Sequence, residues 1–203
     1  MPVAYHPDLT MRAARTRYFE NNGFGADGGY GAAWVDFKLG PIPFPFPNTP
    51  QRIDAVKFHD LHHVLTGYDT DFPGELEISA WEIAAGCKGY AAAWVLNLGG
   101  MAAGLFTRPG RVLAAFARGR RSRTFYGERF DPLLDETVGA LRARCVADGS
   151  PSPSAADALW FALACLAGLV VGLTLLALVV PLVPVGLVLS WLRRRATTRD
   201  VAA

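Results

Sequence analysis

The sequence predicts an all-α fold, in which a helical metal-binding domain is followed by a C-terminal hydrophobic membrane segment. Thr49 and Pro50 form a helix start and Gly67 a helix stop, and apolar residues recur between them at helical spacing. The turn Asp-Phe-Pro-Gly at residues 71–74 predicts the start of a second helix. Residues 158–192 contain no charged side chain, which is typical of a membrane segment.

The first of these helices carries three residues that can bind metal on its predicted buried face. With 100° of rotation per residue, His59, Asp60 and His63 fall on the same side as the apolar Ile53 and Val56. Burying a carboxylate and two imidazoles is costly unless they are paired or bind a metal ion.

The second helix adds two carboxylates. Glu75 lies in its first turn, where the helix dipole favours a negative charge, and Glu82 follows seven residues later on the same face. We predict that His59, Asp60, His63 and Glu75 are the metal ligands. His62, which falls off the buried face, and Glu82 are expected to support the ligands from behind or, for His62, to lie at the surface. The alternative is a buried polar cluster satisfied by hydrogen bonds.

The pattern H-D-x-x-H, eleven residues and then E resembles the signature of the ubiquinone (coenzyme Q) biosynthesis proteins of the Coq-four type. The stretches HDLHHVLTGYDTDFPGELEISAWEIAAG and ERFDPLLDETVGALRAR resemble that family's central helix pair and its C-terminal amphipathic helix. The resemblance covers roughly residues 50–145.

The resemblance implies a metal at the four predicted ligands and work on a polyprenyl-hydroxybenzoate precursor in a membrane. The implied reaction is oxidative decarboxylation, in which the ring carboxylate at C1 is exchanged for a hydroxyl. Zn²⁺ is the first candidate ion, with Fe(II) or Mn as alternatives. The implied partners are the quinone precursor and other ubiquinone-biosynthesis proteins. Membrane lipids and a second copy in a homodimer are further expected partners.

Two other functions stay open. The first is a non-catalytic scaffold or carrier of lipid intermediates with a structural metal. A metal-dependent phosphohydrolase using His-Asp chemistry is less favoured, because the cluster leaves only His6 as a further histidine.

Residues 1–49 form an N-terminal segment with a helix candidate, a glycine-rich loop, a possible short strand (WVDFKLG) and the proline-rich strap PIPFPFPNTP. The loop matches no phosphate-binding motif and is expected to be a surface loop or lid. Alternating prolines predict extended backbone in the strap. Residues 50–147 form the helical domain. Within it, the uncharged residues 89–107 are expected to form a buried core helix that bends or ends at Gly99-Gly100, rather than a membrane span.

An arginine-rich segment follows. We predict that its arginines contact anionic lipid headgroups, with a solvated basic loop as the alternative. They are Arg108, Arg111, Arg118, Arg120, Arg121 and Arg123. A net charge of +2 and the lack of a recognisable binding motif argue against nucleic acid.

Residues 148–157 are predicted to be a Ser/Pro linker, 158–192 the membrane-inserting segment and 193–203 a basic tail. Pro181 and Pro184 break the hydrophobic segment, so that 158–180 can span and 185–192 form a short second piece. We prefer a hairpin over a single span.

Because the N-terminus lacks the apolar core of a signal peptide, we expect the metal domain on the cytoplasmic side of the inner membrane. The three cysteines are expected to be reduced.

Overall fold

The computed structural model describes residues 5–39, 42–147, 149, 151–182, 184 and 188, and this part of the chain is mostly helical. The prediction of a helical fold with an apolar C-terminal helix is confirmed. The helices are α1 (Met11–Asn22), α2 (Pro50–Thr66), α3 (Phe72–Ala85), α4 (Ala91–Thr107), α5 (Pro109–Gly119), α6 (Phe130–Asp135), α7 (Val138–Cys145) and α8 (Ala155–Val179).

A small antiparallel hairpin joins α1 to α2. Its strands are β1 (Trp34–Leu39) and β2 (Ile42–Pro47), and Trp34 is in register with Pro47. The strap expected to be extended is therefore a strand, and its proline-rich sequence suits an edge position. Paired strands were not part of the predicted fold class.

The two helices that carry the candidate ligands begin and end where the sequence places their caps. The Thr49 hydroxyl accepts a hydrogen bond from the Arg52 amide, and the Asp71 carboxylate accepts one from the Gly74 amide. Gly67 ends α2 with φ of 78°, a left-handed conformation that glycine adopts without strain. α3 packs between α4 and α5, with Trp81 and Ile78 fully buried.

The N-terminal helix and α7 hold the other side of α2. The Met11 amide donates to the Glu136 carbonyl over 2.8 Å, and Thr10 forms an isolated bridge with Thr137. Arg142 of α7 donates to the carbonyls of Val64 and Leu65, both at 2.9 Å. These carbonyls are at the C-terminal end of α2, where cationic side chains are favoured, so α7 holds the end of the helix that carries the histidines.

α4 departs from its predicted form. It continues through Gly99 and Gly100 to Thr107, and only one of its faces is buried, as at Asn97 and Met101. Leu96 and Phe106 are 50% and 72% exposed. Residues 91–107 therefore form a half-buried helix that continues past the glycine pair, where we expected a buried core helix to bend or end.

α8 starts at Ala155, inside the predicted linker, with a capping box between Ser154 and Asp157. Within the described residues, it is the helix that is long and apolar enough to cross a membrane, by length and composition. A 3₁₀ turn (Val180–Leu182) follows it, at the first of the two prolines that we expected to break the segment. The predicted second piece, 185–192, apart from residue 188, and the tail 193–203 lie outside the described residues.

Candidate metal centre

His59, His63 and Glu75 converge between α2 and α3. The two histidine Nε2 atoms are 3.1 Å apart. The Glu75 carboxylate lies 3.4 Å from His59 Nε2 through one oxygen and 3.3 Å from His63 Nε2 through the other. One ligand atom from each of the three residues therefore lies within 4.8 Å of the other two, as the ligands of one metal ion do.

The partners of the other ring nitrogens determine which nitrogen of each histidine carries the proton. His63 Nδ1 is 2.9 Å from the carbonyl oxygen of Tyr68, which can only accept, so this nitrogen donates. His59 Nδ1 is 3.1 Å from the Glu82 carboxylate and donates to it. In the neutral histidines both Nε2 atoms then carry a lone pair, and both lone pairs point at the Glu75 carboxylate and at each other.

Such an arrangement needs a cation between the three groups, either a proton or a metal ion. Burial alone would lower the pKa of His59, but the Glu82 and Glu75 carboxylates raise it well above the usual value. Burial alone would raise the pKa of Glu75, but hydrogen bonds to His59 and His63 lower it to about 2. Two imidazoles and one carboxylate suit Zn²⁺ with an open position, and equally the two-His, one-carboxylate sites of Fe(II).

The loop between α2 and α3 places Glu75 opposite the histidines. Gly74 lies so close to this loop that a Cβ there would be 2.1 Å from the Asp69 carbonyl oxygen, so a larger residue would displace the first turn of α3. The Glu75 side chain is 43% exposed, whereas that of His63 is 1% exposed. The group is therefore closed on the histidine side and open to solvent on the Glu75 side.

Asp60 lies on the buried face, as predicted, but it is not part of the converging group. Its carboxylate accepts hydrogen bonds from the hydroxyl groups of Tyr18, at 3.3 Å, and Tyr30. Burial raises the pKa of Asp60, against the effect of the Tyr30 hydrogen bond. Asp60, which we predicted to be a ligand, is thus hydrogen-bonded to tyrosines of the N-terminal segment instead. Tyr18 also stacks on the His63 ring, with centroids 5.7 Å apart.

Glu82 is the centre of a second, fully buried polar cluster behind His59. One carboxylate oxygen contacts His59 and His62, and the other accepts from Tyr126 over 2.8 Å and from Asn97. The Phe125 amide donates to His62 Nε2 over 2.8 Å, so His62 Nδ1 carries the proton that it donates to Glu82. Both residues therefore lie behind the ligands and hold His59 in place, and the surface position allowed for His62 is not what the structure shows.

Four residues of these two clusters could not be identified from the ligand motif: Tyr18, Tyr30, Asn97 and Tyr126. Each comes from a segment distant in sequence from the two ligand helices or outside their motif. Asn97 gave the one usable signal, since an amide in an uncharged helix needs a partner when it is buried.

A cavity of about 240 Å³ adjoins His63. Its lining residues are polar or aromatic, and Asp69 and Asp71 are among them. The cavity offers a polar approach to His63.

Most of the arginines predicted to contact lipid headgroups are bonded within the protein. Arg120 and Arg121 both pair with Asp157 at 2.9 Å, at the start of α8. Arg111 pairs with Glu77, and Arg118 donates to the Thr66 carbonyl over 3.1 Å. Arg108 and Arg123 lie exposed.

Fold and site together define a mostly helical protein with a histidine–carboxylate group that can hold a metal ion. Among the residues that the structure describes, one apolar helix is long enough to cross a membrane. No protein-family model, curated protein or solved structure matches the chain.

Proposed function

We propose that this chain is a membrane-associated, metal-dependent protein of prenylated quinone biosynthesis that acts on the ring carboxylate of a polyprenyl-hydroxybenzoate precursor. The observation that carries the proposal is the convergence of His59 Nε2, His63 Nε2 and the Glu75 carboxylate on one point. The motif H-D-x-x-H-x₁₁-E and its resemblance to the Coq-four type supply the substrate class.

Three protein ligands leave at least one coordination position open, which suits chemistry better than a closed structural site. A bound divalent ion would supply Lewis-acid polarisation of the carboxylate and phenol oxygens of the ring. Zn²⁺ remains the first candidate, with Fe(II) or Mn as alternatives.

The protein's own residues would hold this geometry. Glu82 fixes the orientation of His59, and the Tyr68 carbonyl fixes that of His63. Asp60, held by Tyr18 and Tyr30, places a negative charge behind the histidines that favours a cation at the site.

The cavity beside His63 supports an approach by the ring to this ligand. Because Asp69 and Asp71 lie at this cavity, an anionic ring would be repelled unless the metal charge attracts it. We therefore expect binding of the aromatic carboxylate to depend on the metal. The membrane would supply the prenylated substrate, and α8 would keep the domain at the inner face of the cytoplasmic membrane.

The first experiment is metal analysis of the detergent-purified protein. Wild type should contain one divalent ion per chain, His63→Ala should lose it, and the control His6→Ala, at an exposed position outside the cluster, should keep it. Absence of metal from wild type, even after reconstitution with Zn²⁺, Fe(II) and Mn²⁺, would contradict the proposed site.

A second experiment separates the enzyme from a scaffold with a structural metal. The loaded protein is incubated with a prenylated hydroxybenzoate, and release of CO₂ is measured beside His63→Ala. If removing the metal unfolds the domain and no turnover is found with any of the three ions, the scaffold function is favoured.

A further inference from the structure

We propose that α4 lies in the membrane together with α8, so that the bilayer contacts the domain along a two-helix apolar surface. This surface consists of the exposed residues of α8 and of Leu96, Ala103 and Phe106 on α4. The inference rests on the membrane attachment through α8 that the proposed function includes.

Only part of α8 is free of contacts with the rest of the domain. As a helix of 25 residues it is about 37 Å long, against a hydrocarbon thickness of about 30 Å. Its first part, however, is packed on the domain, because Phe161, Cys165 and Gly168 are buried at helical spacing. Every residue from 173 to 178 is exposed, but residues 173–179 make up only about 10 Å of helix. Within α8, the residues that are free of the domain are therefore few, and the earlier part of the helix is packed on its neighbours.

The packing between α8 and α4 is close. A Cβ on Gly168 would lie 2.4 Å from the Leu98 carbonyl oxygen and 3.0 Å from the Ala102 Cβ. At the start of α8, Phe161 contacts Phe116 edge to face, and Asp157 pairs with Arg120 and Arg121. The first part of α8 is therefore packed on the domain. If α8 enters the hydrocarbon over its whole length, its neighbour α4 has to enter with it.

α4 is suited to that position. It has no charged side chain from Ala91 to Thr107, and its exposed stripe is apolar. Its polar Asn97 faces the other way and donates to Glu82 inside the domain. In α8, the Thr174 hydroxyl is satisfied by the Val170 carbonyl at 2.8 Å, as a hydroxyl in hydrocarbon has to be. The ion pairs of Asp157 and the exposed Arg108 then lie at the ends of the apolar surface, where lipid headgroups begin.

The test uses the full chain in vesicles of phosphatidylcholine and phosphatidylglycerol, with a fluorescent probe on single introduced cysteines. Leu96→Cys and Phe106→Cys report on α4, Leu173→Cys on the free end of α8, and Glu20→Cys on the exposed face of α1. The native cysteines Cys87, Cys145 and Cys165 are buried, and wild type treated with the probe gives the background.

We expect spin-labelled lipid chains to quench most of the emission at positions 96, 106 and 173 and to leave that at position 20 unchanged. Quenching at 173 alone, with 96 and 106 open to aqueous iodide, would overturn the inference but keep the attachment through α8. Protection of 96 and 106 from both quenchers would place a second copy on α4 and would also overturn it. No quenching at 173 would contradict the membrane attachment itself.

A glycine pair in α8 provides a matched control for the packing. Gly168→Leu should separate α8 from α4, so that the probe at 96 loses its lipid quenching while the probe at 173 keeps it. Gly172→Leu, at a position where a Cβ meets nothing within 4 Å, should change neither. If quenching at 96 survives Gly168→Leu, α4 does not depend on α8 for its membrane contact, and the two-helix surface is wrong.

Discussion

Two histidine–glutamate clusters lie side by side between α2 and α3, and they differ in how completely their polar atoms are satisfied. Around Glu82, both carboxylate oxygens and both nitrogens of His62 have partners inside the protein. Around Glu75, the Nε2 atoms of His59 and His63 face one carboxylate that is 43% exposed. The same residue types thus form a closed support in one cluster and an open site in the other.

This difference indicates that the cluster around Glu82 stabilises the fold, whereas the cluster around Glu75 retains the capacity to bind a cation. A buried polar network that is fully bonded stabilises one arrangement of its members, and removing one member leaves the others unpaired. A group of ligands that is open to solvent at its carboxylate contributes less to folding, but it can bind a cation. The predictions below test this contrast through the free energy of unfolding, from the largest expected change to the smallest.

Glu82→Ala should give the largest loss of stability. It removes the common partner of His59, His62, Asn97 and Tyr126, all of which stay buried or partly buried. Removing one side of such a network costs about 3–5 kcal/mol. Urea unfolding of the metal-free protein measures the change. Glu77→Ala on the same helix is the control: its pair with the half-exposed Arg111 should contribute about 0–1 kcal/mol. Equal losses for the two variants would refute the contrast.

Asp60→Asn should give an intermediate loss of about 1.5–3 kcal/mol, the usual contribution of hydrogen bonds to a charged group. The variant weakens the bonds from Tyr18 and Tyr30 but keeps the shape of the side chain. Because Asp60 lies outside the converging group, metal stoichiometry should persist. Calorimetry and metal analysis measure the two effects, with the exposed Asp54→Asn of the same helix as control. Complete loss of metal with an unchanged melting temperature would indicate that Asp60 is a metal ligand, as the sequence motif predicts.

Several features of the two ligand helices could be predicted from the sequence alone. Thr49, Gly67 and Asp71 act through neighbours a few residues away, so the bounds of α2 and the start of α3 could be predicted closely. The shared face of His59 and His63 follows from helical period for the same reason. Glu75 then required only the short loop between the helices.

Partners that are distant in sequence could not be predicted in this way. Helical period places Asp60 on the ligand face, but it cannot reveal that Tyr18 and Tyr30 reach its carboxylate first. His62 lies off that face, yet the segment around Phe125 covers it. The arginines after α4 look like a free basic patch until Asp157 is brought against two of them. In each case tertiary contacts decide the role of a side chain whose local pattern is ambiguous.

Glu75→Gln should change the free energy of unfolding by less than about 1 kcal/mol, since the Glu75 side chain is 43% exposed and glutamine can still accept a hydrogen bond. Its effect on metal binding should be far larger. Outer partners of metal ligands typically change affinity by about 10–100-fold, so a lost direct ligand should exceed that range. Titration with Zn²⁺ against a competing chelator measures the affinity, and Glu77→Gln is the control. A large loss of stability with unchanged affinity would make Glu75 a structural residue and contradict the contrast.

The smallest effect is a pH dependence of stability in the metal-free protein. The pKa of His59 is raised above its usual value of 6.5, so its ion pairs contribute fully below about pH 6.5 and are lost as pH rises through the raised pKa. The pKa of Glu75 is lowered from 4.5 to about 2, so its contribution is present above about pH 4.5 and is lost as pH falls toward 2. Melting temperatures with a chelator present should therefore be highest between these limits.

A metal ion replaces the proton between the Nε2 atoms, so the metal-bound protein should keep its stability at higher pH, and metal uptake should release a proton. If loaded and metal-free proteins lose stability at the same alkaline pH, a metal does not occupy the proton's place, and the open cluster is only a second polar network like the one around Glu82.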